Sequence, residues 1–442
     1  MDEDFFRAVL VVLIVLGCAV VFLSAAGWYV LHNPDRYLPQ VVANLENKTG
    51  LQIQIEHLEV HLQPTLLVTA YGVQIKNPRP FPSGDFLNVP RLDANIEVVP
   101  LVHGRVEVRR VVLHHPVVDF ISDPDGLWNF QNPSGSKEQP TRFSMGVIHD
   151  LQIRHGTMFG SNLIDPADTP GPVVLVLRNF SAQLREIDAR KVAHGGSGQT
   201  VDGKLDADTA RFGSVHTREL HTQLRTTPRQ LTFKGFGVKT HGGHASGDFA
   251  FNFGAKNTTF HTNLQVDGVG MPYLLAEFEQ GPPKMTGMLQ ANFNLAGEVQ
   301  HTSNPLVGIH GGGYFIIRNG ELLSLNGNKK MAQMKRFRDP GAAALPPAAF
   351  STFDGDMDLR DQRMYSDRIG VNFYGIVVDG HGSMSVVGGA MDYRGLATIL
   401  KKQGFFTDLF ASLFKGADIK KGRMTFPIRL EGTLTRPKFI VH

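Results

Sequence analysis

A single cysteine, Cys18, serves all 442 residues, so no intrachain disulfide can staple this chain. Charge of one sign is equally scarce. Lys plus Arg number 44 against 41 Asp plus Glu, a formal +3, and no run of basic residues exceeds three. Such a balance gives no field to recruit a polyanion and argues against nucleic acid as a partner. Motifs for common chemistry are missing too. There is no P-loop, no dinucleotide G-x-G-x-x-G, and no G-x-S-x-G nucleophile elbow.

Three weaker chemical signals are present, and each has a plainer reading. His310-Gly311-Gly312-Gly313 has the look of an oxyanion loop, but without an elbow the glycines read as the low-bulk start of a strand. His241 and His244 flank two glycines as a metal pair would, yet no third ligand is placed beside them, and a solvated turn is expected. Asp354, Asp356 and Asp358 alternate like a calcium loop but lack its glycine and distal glutamate, so they read as the outward face of a strand. The expectation is a protein with no catalytic residues, no metal and no cofactor.

Hydrophobicity comes in two forms. Residues 8–31 form a run of 24 without a charged side chain. As a helix that run reaches about 36 Å, enough to cross a ~30 Å hydrocarbon core. Trp28 and Tyr29 stand at its far end, where aromatic rings favour the headgroup region. An uncleaved anchor is expected rather than a signal peptide, whose apolar core is shorter and follows a basic leader. The rest of the chain alternates with period two. Leu51, Ile53 and Ile55 give way to Leu58, Val60 and Leu62 with the phase shifted by one, which reads as a bulge. Leu92, Ala94, Ile96 and Val98 make one face of a further strand, and the pattern recurs to Met424, Phe426, Ile428 and Leu430. With 47 glycines and 25 prolines spread along the chain, about 20–25 short strands are expected. At ~4.8 Å each they would extend about 100–120 Å as one antiparallel sheet with one apolar face. Helices are expected at 37–45, 272–280, 322–337 and 405–414, and loops at 132–141 and 341–347.

The order of several short motifs resembles one family. Tyr37-Leu38-Pro39 opens a helix closed by Thr49-Gly50. Pro64-Thr65-Leu66, Phe86-Leu87-Asn88-Val89, the run from Pro100 to Val108, Pro116-Val117-Val118-Asp119-Phe120 and Asp125-Gly126-Leu127-Trp128-Asn129-Phe130 follow. This looks like the N-terminal module of the AsmA-like family of bacterial envelope proteins. Residues 314–442, closing on Leu430-Glu431-Gly432-Thr433-Leu434-Thr435-Arg436-Pro437, resemble that family's C-terminal region. The resemblance divides the chain into a tail and anchor (1–32), an N-terminal module (33–130), a middle β region (131–305) and a C-terminal region (306–442). It implies a single pass through the bacterial inner membrane and a body in the periplasm. It also implies a mainly β fold, an elongated curved antiparallel sheet forming an apolar groove. Members are similar to bridge-like lipid-transfer proteins, which makes phospholipid, the inner membrane and envelope or outer-membrane proteins the expected partners.

A curved apolar sheet face offers an acyl chain about 0.8 kcal/mol for each CH₂ kept from water. On the strand pattern, the lining candidates are Ile53, Ile55, Leu92, Ile96, Val98, Val371 and Phe373. A dry core would show the same alternation. Phe405, Phe406, Leu409, Phe410, Leu413 and Phe414 share one helical face, which suits a groove cap or a membrane contact. The expected function is lipid binding and assistance to lipid transport toward the outer membrane and to envelope homeostasis. The alternative is a structural or chaperone-like factor in outer-membrane protein assembly that carries no lipid.

Overall fold

The computed structural model describes residues 34–49, 51–63, 65–102, 105–122, 129, 144–165, 169–188, 200–227, 230–253, 258–278, 281–298, 308–326, 332, 335, 338, 340–386, 389–400, 418–420, 423–433 and 436–441. The apolar segment 8–31 and the stretch 405–414 lie outside them. Among the described residues no helix is long and apolar enough to cross a membrane.

The fold is mainly β, as the alternation predicts, with 22 strands among the described residues. After a 3₁₀ turn at Pro34–Tyr37 comes helix α1 (Leu38–Thr49), then β1 (Ile53–Gln54), β2 (His57–Gln63), β3 (Thr65–Lys76) and β4 (Asp85–Ile96). Next are the short helix α2 (Val98–Val102), β5 (Arg105–His114), β6 (Val117–Ser122), β7 (Ser144–Asp165), β8 (Thr169–Asp188), β9 (Val201–Phe212) and β10 (Val215–Thr227). Then follow β11 (Gln230–Thr240), β12 (Gly243–Phe253), β13 (Thr258–Gly270), α3 (Met271–Phe278), β14 (Met285–Glu298) and β15 (His310–Leu322). The chain finishes with β16 (Ala349–Arg360), β17 (Arg363–Asn372), β18 (Ile376–Ser385), β19 (Ala390–Leu400), β20 (Asp418–Lys420), β21 (Arg423–Thr433) and β22 (Arg436–Val441). Two compact units result. One comprises Met1–Val238, Asp248–Phe260 and His301–Ser303; the other comprises Lys239–Gly247, His261–Gln300 and Asn304–His442.

In the first unit β3 pairs with β1 and β2 on one side and β4 on the other, and β7 through β10 continue as antiparallel neighbours. Among the described residues the antiparallel expectation fails where β5 and β6 meet β7. β5 and β6 both run antiparallel to β4 but parallel to β7. They are two halves of one broken strand, and parallel neighbours cannot be joined by a tight hairpin. Asn129, between β6 and β7 in sequence, is anchored against β6. It is fully buried, its Nδ2 donates to the Asp119 carbonyl (2.7 Å) and to Asn77 Oδ1 (2.8 Å), and its Oδ1 accepts from the Ile121 amide (3.0 Å). Its own amide donates to the Ile121 carbonyl at 2.8 Å.

Helix α1 forms where leucine and valine recur at helical spacing, and it lays Leu38 and Val42 on the core formed by β1 to β5 and β7. Its ends are tied down: Glu46 Oε1 accepts from the Ile53 amide (3.0 Å), and Asp35 Oδ1 accepts from the Leu58 amide (2.9 Å). Val98 departs from the strand reading, since β4 ends at Ile96 and Val98 opens α2.

In the second unit β14 to β19 are consecutive antiparallel neighbours, followed by β21, whose far side carries β22 and β20. Helix α3 falls on the expected 272–280 stretch and packs on β14. The expected helix at 322–337 is not one at its start. Leu322 closes β15 and Leu323–Leu325 make a single 3₁₀ turn. Arg338 clasps the connection that follows. It is 8% exposed, and its guanidinium donates to the carbonyls of Pro346 (2.7 Å), Pro347 and Ala349 (3.0 Å).

Two carboxylates brace the outer face of the first unit. Burial alone would push Asp93 up, but hydrogen bonds from Arg91, Thr69 and His114 outweigh it and hold the carboxyl below its ordinary value. Asp150 is lowered in the same way by Gln183, Gln152 and Arg110 against its burial. A lowered folded pKa stabilises above the unfolded value of about 3.9 and is lost as pH falls through the folded one. Urea midpoints of the wild type should therefore drop steeply below about pH 4. The double variant Asp93→Asn, Asp150→Asn should start lower at pH 6 and lose less on acidification.

Candidate functional site

The sheet faces are the candidate site, and cross-strand register shows what each face carries, because directly opposed residues share a face. In the second unit one transverse row reads Leu289, Ile317, Phe353, Val371, Val378, Ala397 and Phe426 across seven strands. The neighbouring row reads Ala291, Phe315, Gly355, Ile369, Gly380, Gly395 and Ile428. The other face carries Asp354, Asp356 and Asp358 beside Arg368 and Arg360, in line with the outward-face reading.

Glycine has a specific use on the apolar face. A Cβ at Gly313 would lie 2.6 Å from the Phe293 ring, and one at Gly355 would lie 3.3 Å from the Phe315 ring. Both glycines sit opposite the phenylalanine that covers them. The rings lie over backbone and leave a smooth aromatic surface. Phe315 and Phe353 meet edge to face at 5.4 Å. Phe293, Phe315, Phe353 and Val371 are half-buried, whereas Phe350 and Phe426 at the base of the same cluster are fully buried. The His310 to Gly313 motif is thus the start of a strand, as its plain reading predicts.

In the first unit the corresponding rows are smaller. Phe180, Ala207 and Leu220 are opposed across β8, β9 and β10, as are Leu177, Ala210 and Thr217, and Ala182, Leu205 and Thr222. Thr217 donates its hydroxyl to the Ala210 carbonyl (2.9 Å) and Thr222 to the Lys234 carbonyl (3.2 Å). With the hydroxyls engaged by backbone, these threonines add to the face chiefly through their methyls. Further along, Phe233, Phe249, Phe251 and Phe260 form a half-buried cluster, with Phe249 4.6 Å from Phe251 and 5.6 Å from Phe260.

The sequence-derived lining residues fall into two groups. Ile53, Ile55, Leu92 and Ile96 join one core cluster with exposures of 9% or less, and Val98 packs against it from α2. Val371 and Phe373 join the cluster of the second unit; Val371 is half-buried, while Phe373 is 4% exposed in the turn after β17. Phe405, Phe406, Leu409, Phe410, Leu413 and Phe414 lie outside the described residues. The phenylalanine cluster of β11 to β13 is absent from the sequence-derived set. The signal for it was available, in Phe249, Phe251 and Phe253 at period two.

Among the described residues no group of three His, Cys, Asp or Glu is placed to hold a metal ion. The expected solvated turn holds for neither histidine: His244 is exposed but lies on β12, and His241, in the turn before it, is not solvated. Its side chain is 13% exposed, 3.4 Å from Glu277 and stacked on Tyr273. What the geometry offers is apolar rows on one face, buried for the most part and half-buried at the phenylalanine clusters, and charge on the other.

A comparison with known families bears on the first third of the chain. Residues 5–145 match the AsmA family. This stretch takes in α1, β1 to β4 and the broken β5–β6 strand. No curated protein and no solved structure matches the chain.

Proposed function

We propose that this protein binds phospholipid acyl chains on the apolar face of its sheets and assists their transport between membranes of the bacterial envelope. One observation carries the reading: transverse apolar rows run across seven strands of the second unit, buried at their ends and half-buried at Phe315, Phe353, Ile369 and Val371, with Asp354, Asp356 and Asp358 on the opposite face. A chain laid over Phe293, Phe315 and Phe353 gains about 0.8 kcal/mol per CH₂, while a headgroup can stay in water. The AsmA match supports an envelope setting; in this reading residues 8–31 are the inner-membrane anchor and the body stands in the periplasm. No catalytic step is needed; the chain acts as a binding protein, with lipid and membrane as its partners.

Photo-crosslinking tests this directly. Benzoylphenylalanine at Phe315, Phe353 or Phe251 should give light-dependent phospholipid adducts in cells, and at outward-facing Tyr314 or His216 should give none. Labelling of both faces alike, or adducts only with outer-membrane proteins, would favour the scaffold or chaperone alternative.

A further inference from the structure

A line of left-handed backbone crosses the first unit at right angles to its strands. Gly72 on β3 (φ 62°), His115 between β5 and β6 (50°), His155 on β7 (55°), Asn179 on β8 (50°) and Glu219 on β10 (53°) all adopt it. Four of the five are not glycine, and non-glycine residues visit this region uncommonly. They are also in register. β8 and β9 pair Arg178 with Thr209 and Phe180 with Ala207, stepping over Asn179 and Asp208. β9 and β10 pair Thr209 with Arg218 and Ala207 with Leu220, stepping over Asp208 and Glu219. β3 and β4 step over Gly72 and Pro90 in the same way. The break between β5 and β6 lies on the same line, with the His115 amide donating to the Arg154 carbonyl at 2.8 Å.

Each strand changes phase where it crosses. Leu177 and Phe180 on β8, Ala207 and Ala210 on β9, and Thr217 and Leu220 on β10 are buried at a spacing of three instead of two. Side chains on the outer face bridge the gap in the ladders. The rings of His115 and His155 stack at 5.4 Å, His155 Nδ1 lies 2.8 Å from Asn179 Oδ1, and Asn179 Nδ2 donates to Asp208 Oδ2 at 2.5 Å.

We infer that this line is a hinge: the sheet of the first unit is two panels, joined along the crease by side-chain bridges and free to tilt against each other. Hinges need a few positions that absorb backbone rotation, and here five such positions share one line, with Pro90 of β4 and Asp208 of β9 at the same level. Tilting would widen or narrow the inner face that both panels share. The inference does not depend on what that face binds.

Hydrogen exchange resolved to single amides, on the full chain in a nanodisc, tests it. Cooperative units in exchange usually follow whole strands or hairpins. Here protection should instead step in mid-strand. Amides of Leu175, Leu177, Ala210 and Thr217 should exchange as one group, and those of Ala182, Leu205 and Thr222 as another. Asn179→Gly keeps the left-handed backbone but deletes the bridge. It should speed the first group at least tenfold and leave the second within twofold. Asp208→Ala, which removes the same hydrogen bond from the exposed partner, should do likewise. Uniform protection along each strand, a smooth decline toward the turns without a step, or equal acceleration of both groups would overturn the hinge.

Discussion

Replacing Asn129 by leucine should lower the stability of the first unit by about 3–5 kcal/mol, a large part of what a domain has. The side chain is fully buried and serves three partners at once: the Asp119 carbonyl, the Ile121 amide and Asn77 Oδ1. Leucine has similar volume but leaves all three without their partner, and an unsatisfied buried polar group costs about 1–3 kcal/mol. The effect should spread beyond one loop. Asn77 also holds the β3–β4 connection, through its Nδ2 to the Pro82 carbonyl at 3.1 Å and its amide to the Gly84 carbonyl at 2.9 Å. Asn129→Asp should be nearly as damaging, because a carboxylate keeps the acceptor for Ile121 but opposes two oxygens. Urea denaturation followed by circular dichroism checks both variants. An unfolding free energy within about 0.5 kcal/mol of wild type would mean that these hydrogen bonds contribute little.

Asn129 also marks a boundary of what the sequence reveals. Asp125 to Phe130 was visible as a motif, but a motif says nothing of hydrogen bonds across 52 residues to Asn77. The parallel pairing of β5 and β6 with β7 was hidden for a related reason, since alternation looks the same in either strand direction. Strand identity itself was legible, because a half-buried strand must alternate. The phase change between Ile55 and Leu58 was legible too, as both sides are large aliphatics. The matching changes on β9 and β10 were not, because Ala207, Ala210 and Thr217 carry too little hydrophobic contrast to betray a face. Those small residues are where the crease runs, so its alignment appears only when the strands are set in register.

The sequence-derived lining set was legible as apolar but not as sealed, and this governs the second large effect. Ile96→Asp should unfold the first unit rather than empty a lipid surface. Ile96 is 0% exposed, opposed to Leu66 and Val108, inside a cluster closed by α1. An aspartate there is a buried charge without a partner, and the lost packing adds to it, so a cost above about 4 kcal/mol is expected. Phe315→Asp differs in kind. Phe315 is half-buried on the inner face of β15, where water reaches a carboxylate, and its cost should stay near 2 kcal/mol. Its effect should fall on binding: phospholipid adducts at benzoylphenylalanine 353 should drop at least fivefold while the protein stays folded. Measured together, urea midpoint and adduct yield separate the two sites. A folded Ile96→Asp protein would mean that the α1 core is open. A Phe315→Asp protein that is folded and still fully labelled would remove the aromatic rows from the binding surface.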